Sequence, residues 1–174
     1  NIRRLDVPTP QQNVEVTVYL LLGSDQIGSN DSTPSELETV TKQLKATFAF
    51  KGFRTVDTLV LRSREKLGAH AKGLAKLDPE MPNPSTYSFG YHRATIMSDD
   101  KGRSIRLDGL SLNAQIMVKK KQQEPSAVIG YESIEAGFGT NVDVREGQKV
   151  VVGKAAVGGT NTALILVITA KVLE

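Results

Sequence analysis

The segment SIRLDGLSLNAQIMV, Ser104 to Val118, constrains the fold more than any other stretch of the chain. Apolar and polar residues alternate along it, which is the period of a strand with one buried face. The parity changes midway. Ile105 and Leu107 are odd-numbered, whereas Leu110, Leu112, Ala114, Ile116 and Val118 are even. One extra residue at Asp108-Gly109 keeps both sets on the same face, so the sequence predicts a β-bulge there.

Similar patterns flank it. VEVTVYLLL places Val14, Val16, Val18, Leu20 and Leu22 on one face, while Tyr19 and Leu21 make its far end apolar on both sides, as in an interior strand. FRTVDTLVLRSRE reads as a strand with Phe53, Thr55, Asp57, Leu59 and Leu61 on one side. YSFGYHRATIM aligns Tyr87, Phe89 and Tyr91, and the following SDDKGR has turn chemistry, with Asp99 and Asp100 placed to bond the backbone. NVDV, KVVVGK and ALILVITAKVL read as three strands of a meander, turned at REGQ and AAVGGTNT.

One helix stands out in TPSELETVTKQLKATFAFKG. Thr33 is a suitable N-cap, Pro34 suits the first helical position, and Glu36 can close a capping box. Leu37, Val40, Leu44 and Phe48 form an apolar stripe, and Lys51-Gly52 provide a stop. Strand, helix and strand make an N-terminal β-α-β unit. Lys66 to Thr86, with three prolines near its end, reads as a long loop. The expected fold class is therefore α+β, mostly β: a mixed or antiparallel sheet or sandwich with one long capped helix. Residues 1–13 are expected to form an irregular arm, and residues 14–174 a single β-rich domain.

A chain of 174 residues can bury a core without staples. It has no cysteine, which excludes a disulfide framework, thiolate metal sites and a cysteine nucleophile. The net charge of +3 is below that of a dedicated nucleic-acid binder, so no nucleic-acid partner is expected. The longest apolar run, ALILVI, is far too short for a membrane helix and suits a buried strand. No signal peptide is visible, and the chain opens on Asn1 rather than Met, which is compatible with a leader removed before the numbering begins.

Several motifs look like chemistry. VREGQKVVVGK carries two glycines and a lysine, but Gly147 and Gly153 enclose five residues where a phosphate loop has four. Ala155 follows Lys154, so no hydroxyl is offered to magnesium, and the valine run makes the segment a hairpin strand. GFGTNV lacks the third glycine of a dinucleotide fingerprint. KGFRTVDT matches an RNA-binding signature only at Lys51, Gly52, Phe53 and Val56, which leaves one stacking platform. GLSLN around Ser111 is not a nucleophile elbow. His70 and His92 are far apart in sequence without carboxylates at ligand spacing, so no metal site is expected. No catalytic constellation and no cofactor site emerge, and a non-catalytic role is expected.

Nine of the 22 basic residues lie between Lys42 and Lys76, and Lys119, Lys120 and Lys121 form a second cluster. Such clusters are commonly solvated faces or edge-strand protection. The sharper reading makes Arg62, Arg64, Lys66, Lys119, Lys120 and Lys121 an interaction surface for an acidic partner. A second alternative is a small-ligand or glycan-binding β domain with Tyr87, Phe89 and Tyr91 lining the site, although such aromatics usually belong to the core.

The order of these features resembles the core domain of bacterial secretins, the outer-membrane channel family of type II and type III secretion and type IV pili. The resembling segments are VEVTVYLLL, then QLKATFAFKGFRTVDTLVLRSRE, then VDVREGQKVVVGK (Val142 to Lys154) and the final ALILVITAKVLE. Lys154 stands where the family has a second glycine, and AAVGGTNT replaces its Pro- and Gly-rich link. The resemblance implies a secretin-like β-rich core without clear channel-forming segments. It implies an exported bacterial envelope domain, periplasmic or outer-membrane associated, that acts through a protein partner or self-association.

Overall fold

The computed structural model describes residues 8–25, 33–77, 81–120, 128, 130–157 and 161–174. The fold is α+β and mostly β, and the described residues form nine strands in two antiparallel sheets. In chain order they are β1 (Asn13–Ser24), β2 (Gly52–Arg64), β3 (Ala69–Ala75), β4 (Ser85–Tyr91), β5 (Arg93–Asp99), β6 (Gly102–Lys119), β7 (Tyr131–Arg145), β8 (Lys149–Val157) and β9 (Thr162–Leu173). The helix α1 (Glu38–Thr47) follows a 3-10 turn at Ser35–Leu37.

The first sheet has the order β2-β1-β9-β8. In the second, β6 pairs with β7 on one edge, and with β4 and β5 in succession on the other, while β3 flanks β4. The sheets pack face to face over one apolar core. Val14, Val16, Val18, Leu20 and Leu22 meet Phe89, Tyr91, Ile105, Leu107, Leu110 and Leu112 there. Tyr19 and Leu21 face the other way and pack, with Ile165 and Val167, against Leu37, Val40 and Leu44 of the helical segment. The two-sided apolar pattern of β1 thus has its expected cause: it is an interior strand, covered by the opposite sheet and by the helix.

The predicted bulge is present. The β6–β7 register shifts between Leu107 and Leu110, and Gly109 adopts φ +62°, a conformation that costs little only for glycine. The turn after β5 is also present as a tight hairpin, with Asp99 opposite Gly102 and the Lys101 N–H donating to Asp99 Oδ1.

Other expectations are corrected. The helix is short, with ten α-helical residues. No side chain caps its N-terminus, and the Glu36 carboxylate accepts the Tyr19 phenol at 2.9 Å. It ends at Thr47, where Phe48 is extended, and Gly52 opens β2 rather than capping the helix. The strands flanking it are direct antiparallel neighbours.

On β2, a second bulge skips Val56, so Leu21 pairs with Thr55 and Leu20 with Asp57. Phe53 and Thr55 therefore share the helix-facing side, whereas Asp57, Leu59 and Leu61 face between the sheets. The stretch read as a long loop contains β3. Its alternating Ala, Gly and Lys residues have weak strand propensity, and pairing with β4 overrides it.

The REGQ turn exists, with the Gln148 N–H donating to the Arg145 carbonyl. It is not a hairpin turn, because β7 belongs to the second sheet and β8 to the first. The segment Lys149 to Lys154 belongs to a half-buried edge strand. At this side of the sandwich the Phe138 ring of β7 lies against Gly153 of β8.

Candidate functional site

The structure separates the two basic clusters. Arg62 and Arg64 lie at the end of β2, and Lys66 forms the corner into β3. The Lys66 backbone takes φ +69°, and its N–H donates to the Ala94 carbonyl at 2.7 Å. Lys119 ends β6 opposite Tyr131, and the Lys120 N–H donates to the Gly130 carbonyl. Ala94 pairs with Leu107, twelve residues along β6 from Lys119, so the clusters sit at opposite ends of the sheet. Lys121 lies outside the described residues.

The β2 cluster is part of a larger surface. Helix α1 covers one half of the outer face of the first sheet, and among the described residues no element covers the other half. Register places Val60, Thr17, Thr169 and Lys149 in one row across β2, β1, β9 and β8 of this open half. The next row is Arg62, Glu15 and Lys171. Arg64, beside Asn13, lies beyond them. Arg62 and Lys171 grip the Glu15 carboxylate at 2.7 and 3.2 Å. These two bonds, Arg62 first, hold the Glu15 carboxyl below its ordinary range despite its burial. Four cations therefore stand on this face against the carboxylate of Glu15, with Val60 protruding at 59% exposure. Glu15, Lys149 and Lys171 were not singled out from the sequence. Their signal was the odd parity of the apolar strands β1 and β9, which puts Glu15 and Lys171 beside each other once the strands pair.

The outer face of the second sheet is polar. A shallow concavity of about 770 Å³ lies across β3, β4, β6 and β7, lined by Lys72, Thr86, Ser88, Asn113, Gln115 and Glu135 among others. Further along this face the charges are paired. Arg106 makes a bidentate pair with Asp143 at 2.8 and 3.1 Å, and Arg145 one with Asp99 at 2.9 and 3.2 Å. Each arginine depresses its partner's carboxyl.

The aromatic residues considered for a ligand site are core. Phe89 and Tyr91 are 2% and 0% exposed, and Tyr87 is buried beside them. Tyr87 donates its phenol to Asp57 of β2, and Tyr91 hydrogen-bonds Ser63 at 3.0 Å, so both tie β4 to the opposite sheet. Phe53, the stacking residue of the near-miss RNA signature, is buried under the helix. The two histidines, distant in sequence, come together with ring centres 6.3 Å apart.

Among the described residues, no helix is long and apolar enough to cross a membrane.

No family model matches the chain, and no curated protein does. Among solved structures it is similar to the InvG secretin domain β-barrel of the Salmonella SPI-1 injectisome, at 14% identity and a TM-score of 0.42, over 95% of this chain and 64% of that one. It is also similar to the type IV competence pilus secretin PilQ of V. cholerae, at 11% identity and a TM-score of 0.47, over 97% of this chain and 62% of that one. A third is the type II secretin GspD of enteropathogenic Escherichia coli, at 12% identity and a TM-score of 0.43, over 95% of this chain and 70% of that one. The chain thus spans less than two thirds of the first two of these proteins.

Proposed function

We propose that this chain is a non-catalytic, secretin-like bacterial envelope domain that works by contact with a protein partner or with further copies of itself. Residues 14–174 act as one domain, exported to the periplasm or held at the outer membrane. The observation that carries this reading is the set of strands paired on one side only. Among the described residues, strands β2, β3, β5, β7 and β8 each have a single ladder partner, and a sheet edge accepts a further strand through its backbone groups. Val60 of β2 and Leu74 of β3 protrude from two of these strands at 59% and 65% exposure. The open basic half-face adjoins the β2 edge and favours an acidic partner surface.

Sedimentation of the purified chain across a wide concentration range tests this. Self-association that weakens in Val60→Lys or Leu74→Lys is expected, since charge on an edge strand blunts pairing. A chain that stays monomeric throughout, and that recovers no envelope protein after crosslinking in cells, overturns the reading.

A second reading is a β domain that binds a small ligand or glycan. It is favoured by the polar concavity of the second sheet. Glycan-array binding that Asn113→Ala and Gln115→Ala remove would support it.

A further inference from the structure

The chain contains two histidines, and the fold brings them together. His70 lies on β3 and His92 at the break between β4 and β5. His70 pairs across the ladder with Gly90, two residues before His92, so both side chains stand on the outer face of the second sheet. Both are exposed.

Each ring has a seat. A Cβ added at Gly90 would meet His70 Nδ1 at 2.1 Å, and one added at Gly109 would meet His92 Nδ1 at 2.7 Å. Side chains at those positions would displace the rings. Gly109 is also the bulge residue, so the feature that resets the β6 register opens the floor beneath His92. Nδ1 of each ring lies toward the sheet, which leaves Nε2 as the nitrogen a metal would use. Neither imidazole hydrogen-bonds another described residue; their contact is with each other.

We propose that His70 and His92 form a two-ligand site for a borderline transition-metal ion such as Zn²⁺, Ni²⁺ or Cu²⁺. Imidazole nitrogen suits these ions, and a metal about 2.0–2.1 Å from each ring places the ring centres roughly 5–6 Å apart. The observed 6.3 Å needs only small side-chain rotations to reach that span. Among the described residues no third His, Cys, Asp or Glu completes a cluster, so water fills the remaining positions. The bound ion clamps the edge strand β3 to the β4–β5 break, and it binds the folded chain alone because the unfolded chain holds the two rings far apart.

The test is calorimetric titration of the untagged chain with Cu²⁺, Ni²⁺ and Zn²⁺ chlorides, with thermal unfolding followed in parallel. One saturable site is expected, tightest for Cu²⁺, with a Tm that rises with metal concentration. His70→Ala and His92→Ala are surface changes that leave the fold intact, and each should weaken binding by about a hundredfold or more, because two ligands on one rigid frame act together. The absence of saturable binding overturns the proposal. So does a result in which each variant keeps half of the metal at unchanged affinity, since the rings would then act separately.

Discussion

The Tyr87 hydroxyl donates a hydrogen bond to the Asp57 carboxylate across the sandwich, joining β4 of the second sheet to β2 of the first. Four residues further along β4, Tyr91 makes a similar link to Ser63. The two links differ in charge. Tyr87→Phe leaves a half-buried carboxylate short of a partner, and should cost about 1–3 kcal/mol. Tyr91→Phe removes a bond between neutral groups and should cost nearer 1 kcal/mol. Urea unfolding of both variants checks the order; a larger loss in Tyr91→Phe would contradict it.

Alkaline pH should weaken the fold. Burial, followed by the bond to Glu36, pushes the Tyr19 phenol up to about 12. Burial raises Tyr87 as well, with Asp57 adding to the effect, and burial raises Tyr91. A raised phenol means that the folded state holds its proton more tightly than the unfolded state. The stabilisation is complete below the ordinary tyrosine value of about 10, and is lost as pH climbs through the folded-state value. The urea midpoint should therefore fall between about pH 10 and pH 12, and Tyr19→Phe should flatten that fall.

Acid acts through Glu15. Its carboxyl is held down by Arg62 and then by Lys171, so its contribution is present above the unfolded-state carboxylate range and fades as pH drops below it. In Glu15→Gln, the decline in stability from about pH 5 downward should be shallower than in the parent chain. An unchanged acid profile would mean that the three residues do not act as a unit.

Thr55 offers a test in the opposite direction. It sits beside the β2 bulge, and its buried hydroxyl has no hydrogen-bond partner among the described residues. Thr55→Val keeps the shape, removes the unsatisfied group and should stabilise the fold by about 1 kcal/mol. A lower Tm would show that the hydroxyl has a partner, such as a buried water.

The sequence made the strands legible where one face is apolar and the other polar. The β6 bulge could be inferred because apolar residues resume on the opposite parity after Gly109. The β2 bulge was hidden, because Phe53, Leu59 and Leu61 keep one parity while the chain turns them to different cores. Strand β3 was missed since Ala, Gly and Lys carry little strand signal, and its pairing partner supplies what they lack. The predicted helix cap is absent, and Glu36 bonds Tyr19, a residue distant in sequence, instead. The candidate surfaces were half legible. Arg62 and Arg64 could be seen as a cluster, but Glu15 and Lys171 join them only through strand pairings that link the two ends of the chain. The meeting of His70 with His92 likewise depends on β3 lying beside β4, which no local pattern encodes.

Strands β1 and β9 pair along their whole length, from Asn13 opposite Leu173 to Ser24 opposite Thr162. During synthesis, β1 leaves the ribosome before the other described strands and then waits for its central partner. At about 5–20 residues per second, that interval is roughly seven to thirty seconds. Throughout it, a segment apolar on both faces is without the neighbour that would cover one of its edges. The topology thus postpones folding of the first sheet until translation has passed residue 162, and it makes the nascent chain a natural client for factors that hold unfolded polypeptides.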